Sequence, residues 1–101
     1  MQLVSVAHSS SGKTLTLNFE KLDAAVAKRL KQEMLSSIQG ETVGTLTVDM
    51  CNVSFIDSSG LGALVSVRKH LPAEATMRIE NTNDFIGKVL VLTKMDRVFS
   101  F

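Results

Sequence analysis

Two adjacent hydroxyl groups, those of Ser58 and Ser59, lie where an apolar run ends and a helical pattern begins. Serine is a favoured helix N-cap, yet one helix needs only one capping side chain. The other hydroxyl would lie at the carboxyl end of a strand, where α/β sheets place their ligands and contact sites. A phosphate on it would be accepted by the free N–H groups of the helix N-terminus. The pair therefore predicts one capping serine and one serine available for contact or modification.

A second candidate is the polar stretch from Ala7 to Thr14, which fits a loose form of the phosphate-binding loop. That loop requires a helix to start at Lys13, so that backbone N–H groups and the helix dipole meet the phosphates. Instead, polar and apolar residues alternate from Thr14 to Phe19 with the period of two that is typical of a half-buried strand. We therefore predict a turn here, with a nucleotide-binding protein as the rival hypothesis.

Other side chains that could carry chemistry are few and scattered. His8 and His70 are far apart in the sequence, and Cys51 is the single cysteine, so no metal site and no internal disulfide are expected. Cys51 lies in a run with strand character, which predicts a buried thiol in a reducing compartment. Neither Ser58 nor Ser59 lies in a Gly-x-Ser-x-Gly elbow. The sequence thus predicts no catalytic residue, no metal and no cofactor, and we do not expect an enzyme.

Length and composition narrow the function further. The 101 residues leave room for one domain, 1–101, and a hydrophobic fraction of 45% can supply its core. The formal net charge of +1 lacks the basic excess that is typical of nucleic-acid binding. No window reaches the roughly 18 apolar residues of a membrane span, and no targeting segment is visible at the N-terminus. We therefore expect a cytoplasmic protein that neither binds nucleic acid nor inserts into a membrane.

Hydrophobic periodicity predicts the helices that would position the two serines. Apolar residues recur at helical spacing in three segments, 23–39, 58–71 and 84–93. Residues that favour helix boundaries stand at or near the ends of these segments. They are Asp23, Gly40, Pro72, and either Asn83 or Asp84.

The strands predicted between these helices define the fold class. Two alternating stretches that end near Phe19 predict an N-terminal β-hairpin with a serine–glycine turn. Further strands are predicted at 46–50, continuing loosely to Ile56, at 77–79, and as an edge strand at 98–101. Because strands alternate with helices, we predict an α/β fold with a mixed, mostly parallel sheet and an antiparallel hairpin at its edge.

The heptad Phe55-Ile56-Asp57-Ser58-Ser59-Gly60-Leu61 closely resembles the signature of the STAS domain, the domain of sulphate transporters and anti-sigma factor antagonists. Most of the chain is similar to this family in element order, including the strand that contains Asp49 and the segments at 77–81, 89–93 and 96–99. Asn18-Phe19-Glu20 stands where the family usually has Gly-x-Leu-Asp. The resemblance implies a STAS-like single domain, here expected to lack the family's common C-terminal helix.

The resemblance also implies a function. In the family's regulatory members, a partner that is both anti-sigma factor and serine kinase phosphorylates the serine directly after the aspartate, which here is Ser58. The chain would then be an anti-sigma factor antagonist that binds this partner while Ser58 is unphosphorylated. The implied contact residues are Asp57, Ser58, Ser59, Gly60 and Leu61. A serine phosphatase is a further candidate partner, and the alternative is an unphosphorylated STAS subunit that docks in a transporter or lipid-transport complex.

We assign different roles to the residues of this motif. Ser59 is expected to cap the helix by turning toward the N–H groups of the first turn. Ser58 is then expected to project outward beside Asp57, with its hydroxyl available to a kinase. Asp57 is expected to position the loop or the partner, because a kinase supplies its own phosphoryl-transfer groups. Gly60 is expected to leave the backbone open to a close approach.

Overall fold

Strands and helices alternate along most of the chain, as the hydrophobic periodicity predicts. The computed structural model describes residues 2–10 and 12–101. Within them the strands are β1 (Val4–Ser9), β2 (Gly12–Leu17), β3 (Lys21–Leu22), β4 (Thr45–Asp49), β5 (Phe55–Ile56) and β6 (Thr76–Glu80). The helices are α1 (Ala24–Ile38), α2 (Ser58–Lys69) and α3 (Asp84–Leu92), followed by a short 3-10 helix, Met95–Arg97.

The main sheet has the strand order β1-β2-β4-β6. β1 pairs antiparallel with β2 as the predicted edge hairpin, whereas β2, β4 and β6 run parallel. The predicted α/β class with a mixed, mostly parallel sheet is therefore confirmed.

Met1, which falls in the predicted domain, and Ser11, which falls in the predicted turn, lie outside the described residues. Lys13 belongs to strand β2 and does not start a helix, so the Ala7–Thr14 segment does not form a phosphate-binding loop.

The main sheet buries one of its faces. Alternate side chains of β2, β4 and β6 lie in register on that face and are almost inaccessible to solvent: Leu15, Leu17, Leu46, Val48, Met77 and Ile79. Their neighbours Thr14, Thr47 and Arg78 remain partly or fully exposed. Helices α1 and α2 pack against each other and add further aliphatic side chains to this core. Each fully buried aliphatic side chain stabilises the fold by about 1.5–3 kcal/mol, so burial rather than helix propensity holds α1 and α2 in place.

One charged side chain lies within the apolar row of β2. Lys13 is only 6% exposed, and its ammonium group donates a hydrogen bond to the carbonyl of Ser37 in the last turn of α1. The Lys13 Nζ also lies 2.6 Å from Oε2 of Glu41. A buried ammonium is costly unless it is paired, and both of its partners come from the end of α1 and the loop that follows. Lys13 therefore ties the start of β2 to the end of α1.

Strand β4 ends at Asp49, whereas the sequence pattern predicted a loose continuation to Ile56. The Asp49 carboxylate accepts a hydrogen bond from the Cys51 N–H at 3.0 Å. The Val53 N–H donates to the Met50 carbonyl at 2.9 Å, which closes a turn. The chain then resumes as β5, which pairs with β3 in a short parallel ladder that was not predicted. The prediction that Cys51 is buried is wrong, because this turn carries it to the surface.

The segment at 98–101 was predicted as an edge strand and is reduced to a single bridge. Ser100 pairs in parallel with Arg78 of β6. Phe99, directly before Ser100, lies in the core and is 2% exposed. The N–H groups of Val98 and Phe99 both donate to the Met95 carbonyl, at 2.9 and 2.8 Å, so these residues close a turn and the chain makes one bridge where an extended segment would make a ladder.

The three helix predictions are confirmed, and every end agrees to within two residues. Asp23 caps α1 by accepting a hydrogen bond from the Ala25 N–H at 3.0 Å. Gly40 follows the same helix with a φ of +74°, a left-handed conformation that glycine adopts without strain. Asn83, one of the two predicted candidates, caps α3, and α2 ends before Pro72.

The pair formed by Lys13 and Glu41 makes the stability of the fold depend on pH. The hydrogen bond from Lys13 lowers the pKa of Glu41 below its ordinary value of 4.5. A carboxylate with a lowered pKa stabilises the fold above its unfolded pKa, and this stabilisation is lost as the pH falls through the folded pKa. We expect Glu41→Gln to be less stable than the parent near neutral pH and equally stable in strong acid. Urea unfolding at both pH values measures this, and an unchanged stability difference would contradict it.

Candidate functional site

Helix α2 begins at Ser58, as predicted, but its N-cap is Asp57. Asp57 has an extended backbone, and its Oδ1 accepts a hydrogen bond from the Gly60 N–H at 2.9 Å. Its carbonyl accepts the Leu61 N–H at 2.9 Å. The prediction that Ser59 is the cap is therefore wrong. Ser59 already lies inside the first helical turn, whereas a capping residue must precede the first helical residue.

Both serines are exposed at the start of α2. Ser58 is the first helical residue and Ser59 the second. Because Asp57 satisfies the Gly60 N–H, the helix requires neither hydroxyl as a cap. Apart from the capping carboxylate, the first turn contains no acidic side chain, and the amino end of a helix carries a partial positive charge. A phosphate on either hydroxyl would therefore be tolerated by the helix itself.

Gly60 is buried, and its close contact is internal. A Cβ atom at this position would lie 2.2 Å from the carbonyl oxygen of Leu22 and 2.6 Å from its Cγ. The same carbonyl accepts a hydrogen bond from the Asp57 N–H at 3.2 Å, and Leu22 pairs with Ile56 in the ladder of β3 and β5. The N-terminus of α2 is thus fixed against β3. The sequence analysis expected Gly60 to allow a close approach to its backbone. In the structure, the element that makes this approach is strand β3 of the same chain.

The five predicted contact residues lie together in one helical turn and its cap, but they differ in exposure. Ser58 and Ser59 are exposed, Asp57 is half-buried, Leu61 is partly buried against the core, and Gly60 is buried. The accessible surface of these five residues is therefore formed mainly by the two serines and part of Asp57. Gly60 and Leu61 hold this surface in position.

Three loops meet at the carboxyl end of the sheet, in a network that we call the carboxyl rim: Glu20, Ser54 and Asn83. The Ser54 N–H donates to the Glu20 carbonyl at 2.8 Å. The Ser54 carbonyl accepts a hydrogen bond from Asn83 Nδ2 at 3.0 Å. Asn83 also caps α3, because its Oδ1 accepts the Ile86 N–H at 2.8 Å. The loops that lead toward α1, α2 and α3 are therefore joined by hydrogen bonds.

An aromatic pair on this rim was missed by the sequence analysis. The rings of Phe55 and Phe85 are stacked, with centroids 5.9 Å apart and an interplanar angle of 11°. Phe55 is 40% exposed and Phe85 is 47% exposed. Periodicity places each residue on an apolar stripe, which predicts burial. No local pattern reports that the start of α3 lies against β5, so the pair could be found only from the tertiary structure.

The polar groups at the end of β4 do not form a reactive centre. A hydrogen bond from Asn81 Nδ2 at 3.0 Å lowers the pKa of Asp49. Asp49 in turn raises the pKa of the Cys51 thiol through a hydrogen bond, so the thiol stays protonated near neutral pH.

His70 lies at the end of α2 that is far from the serines, where its ring contacts the Ser66 carbonyl at 2.8 Å. In residues 2–10 and 12–101, no cluster of His, Cys, Asp and Glu could hold a metal ion.

None of the helices in the described part of the chain has the length and apolar character that a bilayer span requires.

The family model of the STAS domain matches residues 8–101, and the chain belongs to this family. Its fold is similar to that of an anti-sigma-factor antagonist (STAS) domain protein from Planctomyces limnophilus, with a TM-score of 0.85, 20% identity, and coverage of 96% of this chain and 86% of that chain. It is also similar to an anti-sigma factor antagonist from Mycobacterium paratuberculosis, with a TM-score of 0.82, 20% identity, and coverage of 95% of this chain and 80% of that chain. A third similar structure is the Bacillus cell fate determinant SpoIIAA in its phosphorylated form, with a TM-score of 0.69, 19% identity, and coverage of 95% of this chain and 87% of that chain. These likenesses confirm the STAS-like fold.

Two glycines of α2 provide a matched test of the contact with β3. In Gly60→Ala the new methyl group would overlap the Leu22 carbonyl, so we expect a loss of about 1–3 kcal/mol in unfolding free energy. A Cβ atom at Gly62 would meet nothing within 4 Å. Gly62→Ala should therefore stabilise the protein by up to about 1 kcal/mol through helix propensity. Urea unfolding of both variants measures the difference, and equal stabilities would show that the contact does not constrain α2.

Proposed function

We propose that this chain is an anti-sigma factor antagonist, which binds an anti-sigma factor with serine kinase activity while Ser58 is unphosphorylated and releases it after phosphorylation. The observation that carries the proposal is an exposed Ser58 at the first position of α2, where the fold makes no use of its hydroxyl. Membership of the STAS family supports this role. Further support comes from the antagonists among the similar structures, one of which was determined in a phosphorylated form.

The proposed contact surface is the amino end of α2. Ser58, Ser59 and the exposed part of Asp57 would touch the partner, while Gly60 and Leu61 position them. The surface is rigid, because Asp57 caps the helix and Gly60 lies against Leu22. A partner can therefore bind it without first ordering a loop, which keeps the entropic cost of binding low.

The switch follows from the chemistry of the modification. A phosphate adds a charge close to −2 and a strongly hydrated group. Helix α2 tolerates this charge at its amino end, so the fold is retained. A partner surface packed against Ser58 must instead desolvate the phosphate or clash with it. The modification would therefore act on the complex and leave the free protein folded.

The proposal includes no catalytic activity of this chain. The kinase partner would supply the groups for phosphoryl transfer, and a serine phosphatase would restore the unmodified serine. Because Ser58 is exposed, both enzymes could reach it. Sigma factors and their regulators act in the cytoplasm, where we accordingly place this protein.

Phosphate incorporation tests the proposal directly. The parent, Ser58→Ala and Ser59→Ala would each be incubated with labelled ATP and, one at a time, with the anti-sigma factor kinases of the source organism. We expect label on the parent and on Ser59→Ala, and none on Ser58→Ala, because the hydroxyl of Ser58 is the acceptor. Phosphopeptide mapping identifies the labelled residue.

The outcomes separate the competing assignments. Label on Ser59 with none on Ser58 would reverse the choice of serine. A parent protein that none of the kinases binds or labels would contradict the proposed function. In the alternative of an unphosphorylated STAS subunit in a transporter or lipid-transport complex, Ser58 would be a permanent contact and would stay unlabelled.

A further inference from the structure

The aromatic side chains of this protein are distributed unusually between core and surface. The core is built mainly from Leu, Ile, Val and Met, and Phe99 is the aromatic residue buried in it. Phe55, Phe85 and Phe101 are all at least 40% exposed. Exposed clusters of large apolar side chains mark interaction sites, and aromatic residues are enriched among those that dominate binding energy.

The backbone segments that carry Phe55 and Phe85 are joined by the carboxyl rim. Ser54, directly before Phe55, bonds to both Glu20 and Asn83. Asn83, two residues before Phe85, is fixed because it also caps α3. The two stacked rings therefore form one apolar surface on two backbone segments that a hydrogen bond joins. Such a surface loses little side-chain entropy when a partner covers it.

The aromatic pair is joined through the chain to the surface proposed to bind the kinase. Phe55 opens strand β5, and Ile56 leads directly into the capping residue Asp57 and then Ser58. Two small hydroxyl groups and part of one carboxylate offer a partner little apolar area. Binding energy at protein interfaces is usually concentrated in a few large, well-packed side chains. The exposed rings of Phe55 and Phe85 offer a partner the apolar area that the serines lack, and Phe55 lies three residues before Ser58 in the chain.

We propose, resting on the function proposed above, that the stacked pair of Phe55 and Phe85 is the apolar anchor of the complex with the anti-sigma factor kinase. The rings insert into an apolar pocket of that protein, next to the surface that contacts Ser58. The aromatic pair and Ser58 have different roles in this complex. The aromatic pair supplies affinity, and Ser58 supplies sensitivity to phosphate. Loss of the pair then removes binding that is equally strong before and during phosphoryl transfer, which raises KM without changing kcat.

Truncation of each ring tests this proposal. The control is the truncation of an exposed residue of α3, the helix that carries Phe85. The variants are Phe55→Ala and Phe85→Ala, and the control is Leu92→Ala, since Leu92 is 80% exposed at the other end of α3. Affinity for the anti-sigma factor kinase that binds the parent would be measured by calorimetry or by the tryptophan fluorescence of that kinase. The fluorescence signal has no background, because this chain contains neither Trp nor Tyr.

We expect each ring truncation to weaken binding at least tenfold, and to raise the KM for phosphorylation of Ser58 in proportion while leaving kcat unchanged. The double variant should be less affected than the product of the two single effects, because the rings contact each other. Leu92→Ala should bind within twofold of the parent. Thermal unfolding of every variant confirms the fold, and Phe55→Leu and Phe85→Leu take the place of any alanine variant that is unfolded.

The results distinguish this proposal from the function on which it rests. A parent that is bound and labelled on Ser58, with ring variants that bind within twofold of it, would overturn the anchor and leave the switch intact. A tenfold loss in Leu92→Ala as well would also overturn the anchor, because the effect would not be specific to the pair. A parent that no kinase binds or labels would overturn the proposed function itself.

Discussion

The contact of Gly60 with the Leu22 carbonyl fixes the position of helix α2, and the arrangement of the site depends on it. No side chain fits between the two backbones, since a Cβ atom would approach the carbonyl to 2.2 Å. The same carbonyl receives the Asp57 N–H, so the residue before the helix is held as well. With its backbone extended, Asp57 can turn its carboxylate onto the Gly60 N–H. One close backbone contact thus determines where the helix starts and which residue caps it.

Because Asp57 caps helix α2, the hydroxyl of Ser58 is not needed for capping. A serine that capped the helix could not be phosphorylated without the loss of about 1 kcal/mol of capping energy. With Asp57 as the cap, the hydroxyl of Ser58 is exposed and the first turn can accept a negative charge. The proposed phosphate on Ser58 would therefore leave the helix cap intact. In the proposed complex, the aromatic pair on the carboxyl rim would supply affinity and Ser58 would supply its control by phosphate, so that the two come from different side chains.

The sequence predicts most of the framework, because the framework follows from local patterns. Helix ends and the start of α2 at Ser58 follow from periodicity and boundary residues, and all of them are confirmed. The cap was assigned wrongly because Asp57 and Ser59 are both good capping residues, and the choice depends on the tertiary contact at Gly60. Cys51 was misplaced for a similar reason, since a turn held by the Asp49 side chain interrupts a run with strand character. The contact at Gly60 and the hydrogen bond of Asp49 are not visible in the hydrophobic periodicity of the sequence.

The central claim is that one phosphate on Ser58 changes the affinity for a partner without changing the fold. Calorimetric titration of the unphosphorylated and the Ser58-phosphorylated protein against the same anti-sigma factor kinase tests it most directly, with thermal unfolding of both forms alongside. We expect the phosphate to weaken binding about a thousandfold, equivalent to about 4 kcal/mol, at a nearly unchanged melting temperature. Ser58→Ala should bind like the parent, and Ser58→Asp should show a smaller loss, because one carboxylate imitates a phosphate poorly. Equal affinities of the two forms, or a phosphorylated form that is unfolded, would contradict the account.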